Sequence, residues 1–308
     1  MRTLHIYIIA LFIGLSASAQ IDRSQQPKPG PDPVIQLGEP IKFTLKNGLT
    51  VMIVENNKLP RVSASLNIDN PPIVEGSKAG VSQLTGALMG KGSLNQDKDS
   101  FYEEVDFMGA SIGFGSQSAS ASSLSRYFGR VLEMMADAAL NPNFTEEEFI
   151  KERDILLDGI KSGEKSVTTA ARRVESLLAY GVNHPYGEFI SKESVERVSL
   201  DDVKQFYQTY FHPNNAYLVI VGDIDVKAVK KQIKKLFKDW KPGADIISNT
   251  PMVENATNTQ IEFVDMPNAV QTEVTVQNTV SLKKKDPDYF PLLLANAILG
   301  GGGEARLF

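Results

Sequence analysis

Residues 80–93 read GVSQLTGALMGKGS. Val81, Leu84, Leu88 and Met89 recur at helical spacing, and Gly86 and Gly90 interrupt the segment. In an exposed helix each glycine costs about 1 kcal/mol relative to alanine, so the expectation is a helix weakened at two places. Residues four apart share one helix face, which puts Gln83 and Ala87 side by side with Gly86 just before them. The trio offers a neutral amide, a methyl group and no side chain at all.

The sequence on either side alternates between strand and helix patterns. Upstream, IKFTLKNGLTVMIVEN (41–56) holds two apolar alternating runs around Asn47-Gly48, a hairpin signal, and VSASLNI (62–68) reads as a further strand. Downstream, Ser100 to Glu103 reads as a capping box opening a helix. Gly109 to Ser125 reads as a strand pair. Helices are expected at about 127–140, from a second capping box at Thr145 to about 160, at 167–180 and at 200–210. AYLVIVGDI (216–224) is almost continuously apolar, which predicts a buried strand. Val226 to Trp240 predicts an amphipathic helix with a solvated, lysine-rich face.

Lys241-Pro242-Gly243 and the polar stretch after it mark a boundary. Beyond it, TQIEFVDM (259–266) and QTEVTVQNTV (271–280) read as strands, and 289–299 as a helix running into Gly300 to Gly303. The order strand, strand, helix, glycine turn echoes residues 41–93. The expected organisation is a signal peptide at 1–19, a Pro-rich linker at 20–35, a first domain at 36–245, and the start of a second similar domain at 246–308. Some 60 residues are few for a stable lone domain, so the second is expected to be truncated.

Composition narrows the class. The chain has 308 residues, 42% hydrophobic, with a net charge of −5, so it gives no electrostatic reason to expect a nucleic-acid partner. Arg2, the apolar run 6–15 and Ala17-Ser18-Ala19 form a cleavable export signal too short to span a bilayer. There is no cysteine, which excludes disulfides, thiolate metal sites and a lipid anchor on cysteine. The expected product is soluble and exported, periplasmic in a Gram-negative source, with no membrane span.

Several segments agree in order with one family. N-G-L-T-V at 47–51, G-x-x-x-L at Gly80, the Glu146 to Ile160 helix, HPYG at 184–187, FHPNNAYLVIVGDID at 211–225 and ILGGGGEARLF at 298–308 resemble the pitrilysin/insulinase family of zinc peptidases. The resemblance implies an α+β fold, a mostly antiparallel sheet covered by helices, built as a pair of similar domains. It implies an inverted H-x-x-E-H helix holding zinc through two His, a Glu on a later helix as third ligand, and the motif Glu as general base. In this sequence those positions are Gln83, Ala87, Gly159 and Gly86, so no catalytic residue and no metal ligand is expected here. His184 and His212 each sit beside a proline and are expected to make turn or cap hydrogen bonds. The carboxylates Glu75, Glu103, Glu104, Asp106, Asp154 and Asp158 match no calcium loop and read as solvated helix faces.

The resemblance also implies two peptide-binding features. Gly113, Phe114, Gly115 and Ser116 occupy the edge strand on which active members lay extended substrate by strand addition. Gly300, Gly301, Gly302 and Gly303 resemble the glycine-rich loop of non-catalytic subunits, or equally a helix cap and turn. The leading expectation is a non-catalytic, peptide-gripping subunit of an exported two-subunit zinc metallopeptidase, active in proteolysis only as a heterodimer with a zinc-bearing catalytic partner. The alternatives are a stand-alone peptide-binding or structural clamshell and, last, an active peptidase with an unusual metal site.

Overall fold

Strand alternation explains the core. In Arg61–Ile68 the residues Val62, Ala64, Leu66 and Ile68 are buried while Arg61, Ser63 and Asn67 are exposed, the period-two pattern of a sheet with one covered face. The computed structural model describes residues 30, 39–247, 250–267 and 269–307. The expected export signal lies outside these residues, as does the linker apart from Gly30. The elements described here belong to the unit Pro40–Phe308.

Six strands form one sheet: β1 (Ile41–Thr44), β2 (Thr50–Glu55), β3 (Arg61–Ile68), β4 (Ser111–Gly115), β5 (Ser118–Leu124) and β6 (Ala216–Gly222), in spatial order β1-β2-β6-β3-β5-β4. The β2–β6 pair is parallel and the other four pairs are antiparallel. Nine α-helices accompany the sheet among the described residues: α1 (Val81–Met89), α2 (Lys98–Phe107), α3 (Ser125–Leu140), α4 (Glu146–Gly163), α5 (Val167–Tyr180), α6 (Lys192–Glu196), α7 (Leu200–Tyr210), α8 (Val226–Phe237) and α9 (Tyr289–Gly300). The α+β, mostly antiparallel architecture read from the sequence is the one observed.

Two apolar clusters hold the elements together. In the first, Val131, Leu132 and Met135 of α3 and Ile233 and Phe237 of α8 pack on Val51, Ile53, Leu66, Leu218 and Ile220 of the sheet. The second joins Val81, Leu84 and Leu88 of α1 to Phe149 and Ile160 of α4, Val195 of α6, and Val203 and Phe206 of α7. Met89 of α1 belongs to the first cluster, so this nine-residue helix links both.

Three expectations need correction. The cap of α2 is Asp97, whose carboxylate accepts from Ser100 N–H at 3.0 Å; Ser100 is the residue being capped, not the cap. At Thr145 the hydroxyl does accept from Glu148 N–H, but the Glu148 carboxylate turns away to Lys98 at 2.9 Å, so only half of the capping box forms. Central strand β6 is buried on one face only, with Tyr217 and Val221 exposed, because the helices cover one side of the sheet.

The strands expected at 259–266 and 271–280 are absent as well. A strand forms only where a neighbour takes its N–H and C=O groups, and no described segment pairs with these residues. Ile261, Val270 and Val276 are at least 90% exposed. Gln277 does reach α5, donating to Glu175 O at 2.9 Å. The helix expected at 289–299 is present as α9; it is apolar all round and none of its residues is buried.

Side chains fasten the periphery. Asn47, in the β1–β2 turn, donates to Phe237 O at 2.8 Å and Trp240 O at 2.9 Å, capping the C-terminal end of α8. Asn47→Ala removes both bonds, though Phe237 O keeps the Trp240 N–H at 3.3 Å, and the expected loss is about 1–2 kcal/mol of unfolding free energy in urea titration. Arg130 of α3 grips Glu104 of α2 in a two-pronged pair at 2.6 and 2.8 Å. That hydrogen bonding, with help from Gln96, brings the Glu104 carboxyl down to about 2. A depressed carboxylate stabilises the fold above its unfolded value near 4.5, and the contribution disappears as pH falls toward 2. Water around half-exposed Arg130 screens the pair, so it is worth about 0.5–1 kcal/mol. Glu104→Gln is expected to flatten the pH dependence of the melting temperature between those values; an unchanged slope refutes the assignment.

Candidate functional site

The first helix presents three different faces. Val81, Leu84 and Leu88 enter the second core, Gly86 and Gly90 face β4, and Gln83 and Ala87 turn outward. Its start is built on glycine: Gly80 has φ of +109°, a conformation that side chains rarely adopt, and its N–H donates to Glu75 Oε2 at 2.6 Å. A Cβ at Gly80 would also press on Ile190 and Val195 at 3.1 Å.

Glycine has a different purpose at 86 and 90. A Cβ on Gly86 would lie 2.8 Å from Ser116 N, 3.1 Å from Gly115 Cα and 3.2 Å from Gly115 C. These are backbone atoms at the tip of the β4–β5 hairpin, which no rotamer change can move aside. Four residues on, a Cβ at Gly90 would touch Tyr102 Oη at 3.4 Å and Phe114 at 3.5 Å, ordinary contacts. Tyr102 Oη donates to Gly90 O at 2.7 Å, fastening α2 to the end of α1. The hairpin tip is also pinned to the end of β3, where Ile68 N–H donates to Gln117 O at 2.9 Å.

The four positions of the lost motif are thus not equivalent. Gln83 is exposed and Ala87 is half-buried on the same outward face, as their spacing predicted. Gly159 is exposed on α4, and a Cβ there would meet nothing within 4 Å. Only Gly86 is enclosed. Gly159 stands in open space, so α1 and α4 do not close over it. Four residues whose side chains offer one exposed amide do not fit a zinc ion, which needs imidazole, thiolate or carboxylate donors. Among the described residues no cluster of three or more His, Asp or Glu is poised to hold a metal.

The two histidines have structural partners. His184 is buried, stacks on Tyr180 with ring centres 4.9 Å apart, and accepts from Tyr186 N–H at 3.0 Å through Nδ1. The Nε2 of His212 lies 2.6 Å from Gln208 O. Among the carboxylates, Glu75 accepts from the Gly80 N–H just before α1 and Glu104 pairs with Arg130, while Glu103, Asp106, Asp154 and Asp158 are exposed on helix surfaces.

Sequence reading missed one feature beside the site. Lys91, just after α1, pairs with Glu152 of α4 at 2.5 Å, with both side chains less than a fifth exposed. This pair ties together the two helices that carry the degenerate positions. Neither residue belongs to a recognisable motif, so nothing in the spacing pointed to it.

Of the two candidate peptide contacts, Gly113 to Gly115 form the edge strand β4 with Ser116 in the following turn. That two-residue turn closes on the pair Gly115 and Ser118, so Gly115, Gly113 and Ser111 bond to β5. By alternation the main-chain groups of Phe114 and Ile112 point outward from the sheet edge. The Gly300 to Gly303 run is a helix end and turn: Gly300 closes α9, Gly301 N–H donates to Ala297 O at 2.9 Å, and the chain folds back so that Arg306 N–H reaches Ile298 O. It is tied to its own helix.

Comparison with known proteins places this geometry. Residues 50–187 match the model of insulinase (peptidase family M16), and residues 197–308 match that of the peptidase M16 inactive domain. The chain belongs to the insulinase, or pitrilysin, family. An uncharacterized zinc protease of Bacillus subtilis, YmxG, is 22% identical over 87% of the chain and 65% of its own length. Zinc protease PqqE of Helicobacter pylori is 26% identical over 64% of the chain and 46% of its own length. The chain thus spans about two-thirds or less of these curated relatives. A probable inactive metalloprotease of B. subtilis, YmfF, is 25% identical over 41% of the chain and 30% of its own length.

Solved structures share the fold. The peptidase M16 inactive domain from Pseudomonas fluorescens superposes with a TM-score of 0.70 at 22% identity, covering 87% of this chain and 66% of that one. The periplasmic protease PqqL of Escherichia coli gives 0.59 at 21% identity, covering 72% of this chain and 26% of that one. Within the insulinase family this chain is a member without the catalytic side chains.

Helix glycines distinguish the enclosed position from the open one. On propensity alone, alanine should stabilise either site by about 1 kcal/mol. Gly159→Ala is expected to gain that amount in chemical denaturation, whereas Gly86→Ala should lose about 1–3 kcal/mol because the hairpin must shift. An equal gain at both sites would show that the backbone contact at Gly86 is not made.

Proposed function

We propose that this chain is a non-catalytic, peptide-gripping subunit of an exported two-subunit zinc metallopeptidase of the insulinase type. The observation that carries the reading is the retained scaffold around a dismantled motif: both cores and the edge strand are intact, while all four catalytic positions lack usable side chains. Zinc and the general base would come from a catalytic partner of the same family, and this chain would hold extended peptide.

Edge strand β4 is suited to that task. The outward N–H and C=O groups of Ile112 and Phe114 can pair with an extended chain and require no metal. Gly113 and Gly115 leave the outer surface of the strand low, so a peptide backbone can approach closely. The Gly300 to Gly303 turn would supply a second contact from the start of a second similar domain. Two features agree with such a domain: α9 is apolar on all sides, the pattern of a helix meant to be enclosed, and 259–280 carries unpaired strand sequence.

The amino-terminal signal in the sequence supports an exported location for this chain, and one structural relative is a periplasmic protease. No helix among the described residues is long and apolar enough to cross a membrane.

The test is reconstitution. The full chain is purified alone and together with a family member that carries an intact H-x-x-E-H helix, preferably encoded beside it. Expected are a 1:1 complex in native mass spectrometry, and peptidase activity and zinc only in samples containing the partner. Full activity with stoichiometric zinc in the isolated chain overturns the proposal, and a chain that stays single beside every such homologue favours a stand-alone clamshell.

A further inference from the structure

We infer that Gly86 is a positioning residue for the peptide-holding edge: the position at which the family carries its general base here serves as the seat of strand β4. The inference rests on the proposed peptide-gripping role and adds what sets the height and rigidity of the gripping strand.

The argument is steric. α1 meets the hairpin through residues four apart on one face, Gly86 under Gly115 and Ser116, and Gly90 beside Phe114. Without side chains at these positions the hairpin lies directly on the helix backbone. The contact at 86 is closed by main-chain atoms on both sides, so it leaves no room for a methyl group, far less a glutamate. Loss of the base and seating of the strand are therefore one structural event. The hairpin tip is otherwise held by the Gln117 bonds to Ile68 and Asn70 and the ladder to β5, while further along β4 Ile112 and Phe114 pack on the core, Phe114 beside Phe101. An edge strand has no neighbour on its outer side, so support from below is what holds Ile112 and Phe114 in line for an incoming chain.

The helix itself gives independent reasons to expect a side chain at 86. Glycine in mid-helix is unfavourable by about as much as a whole surface ion pair is favourable, and the second glycine at 90 stands at the helix end, where it is tolerated. A packing need at 86 offsets that disadvantage; open space would not, as Gly159 illustrates.

The experiment uses the full chain, isotopically labelled for amide exchange, and one defined probe: a fluorescein-labelled peptide of alternating threonine and valine, ten residues long, flanked by lysines. Wild type, Gly86→Ala, Gly90→Ala and Gly159→Ala are compared at equal foldedness, checked by circular dichroism. In Gly86→Ala the amides of Gly115 and Ser116 are expected to exchange at least tenfold faster while those of β2 and β6 are unchanged. Peptide affinity should fall at least tenfold, and the probe should cease to protect Ile112 and Phe114. Gly90→Ala and Gly159→Ala should stay within twofold of wild type in both readouts. Wild-type exchange and affinity in a folded Gly86→Ala overturns the inference, as does unfolding of the whole chain, which would assign Gly86 to general stability. If wild type fails to bind the probe yet Gly86→Ala still loosens the hairpin tip alone, the seat stands and the peptide-gripping reading falls.

Discussion

The nine-residue helix α1 is the joint of the structure, and its contacts constrain everything near the candidate site. Its apolar side chains reach both hydrophobic clusters, Met89 into one and Leu84 and Leu88 into the other. Its glycine face lies against the edge hairpin. A helix so short would not be stable by itself, and two glycines make it less so. It persists because three surfaces converge on it. Any change in its position would therefore move the sheet edge, α4 and the β4–β5 turn together.

That joint also shows how α1 and α4 are held together by protein groups alone. In a zinc-bearing member the ion would tie the first motif helix to the later helix that carries the third ligand. Here α1 and α4 are tied by Lys91 and Glu152, the lysine about one turn after Ala87 and the glutamate about two turns before Gly159. A half-sheltered ion pair is a weaker clasp than a metal, and its net worth is modest once desolvation is counted. The apolar packing of Leu84 and Leu88 on Phe149 and Ile160 does most of the holding. The ion pair fixes register, and the cluster provides the stability.

Much of this was legible in the sequence wherever local pattern and tertiary contact agree. The Asn47-Gly48 hairpin, the alternation of β3 and the helices α3 to α5 and α7 to α9 follow from periodicity and turn residues, the short α6 was not foreseen, and Gln83 and Ala87 share a face because of their spacing alone. Three kinds of feature were not legible. The α2 cap fell three residues early because Asp97 and Ser100 both fit the capping pattern, and it is Asp97 that accepts from a backbone N–H, that of Ser100 itself. The strands at 259–280 carry the right alternation, but a strand is a property of a pair, and their sequence says nothing about a partner. The seat at Gly86 was read as a simple deletion, since a glycine's neighbours are invisible until the hairpin is placed. Sequence shows what a residue has lost; the structure shows what has come into the vacated space.

The contrast among the four degenerate positions bears on what each is for. Gln83 and Gly159 are exposed, Gly159 with nothing near a Cβ, and Ala87 is half-buried on the outward face of α1. Gly86 is different, because the backbone of Gly115 and Ser116 forbids any substitution that leaves the hairpin where it is. The motif is thus degenerate by two mechanisms, relaxed requirements at three positions and a new requirement at one. Restoring ligands at the three open positions would leave the base position blocked, and opening that position would unseat the strand that presents Ile112 and Phe114. In this chain any side chain at residue 86 and the hairpin in its present place exclude one another, so what α1 can carry at that position is set by how closely the β4–β5 turn lies on it.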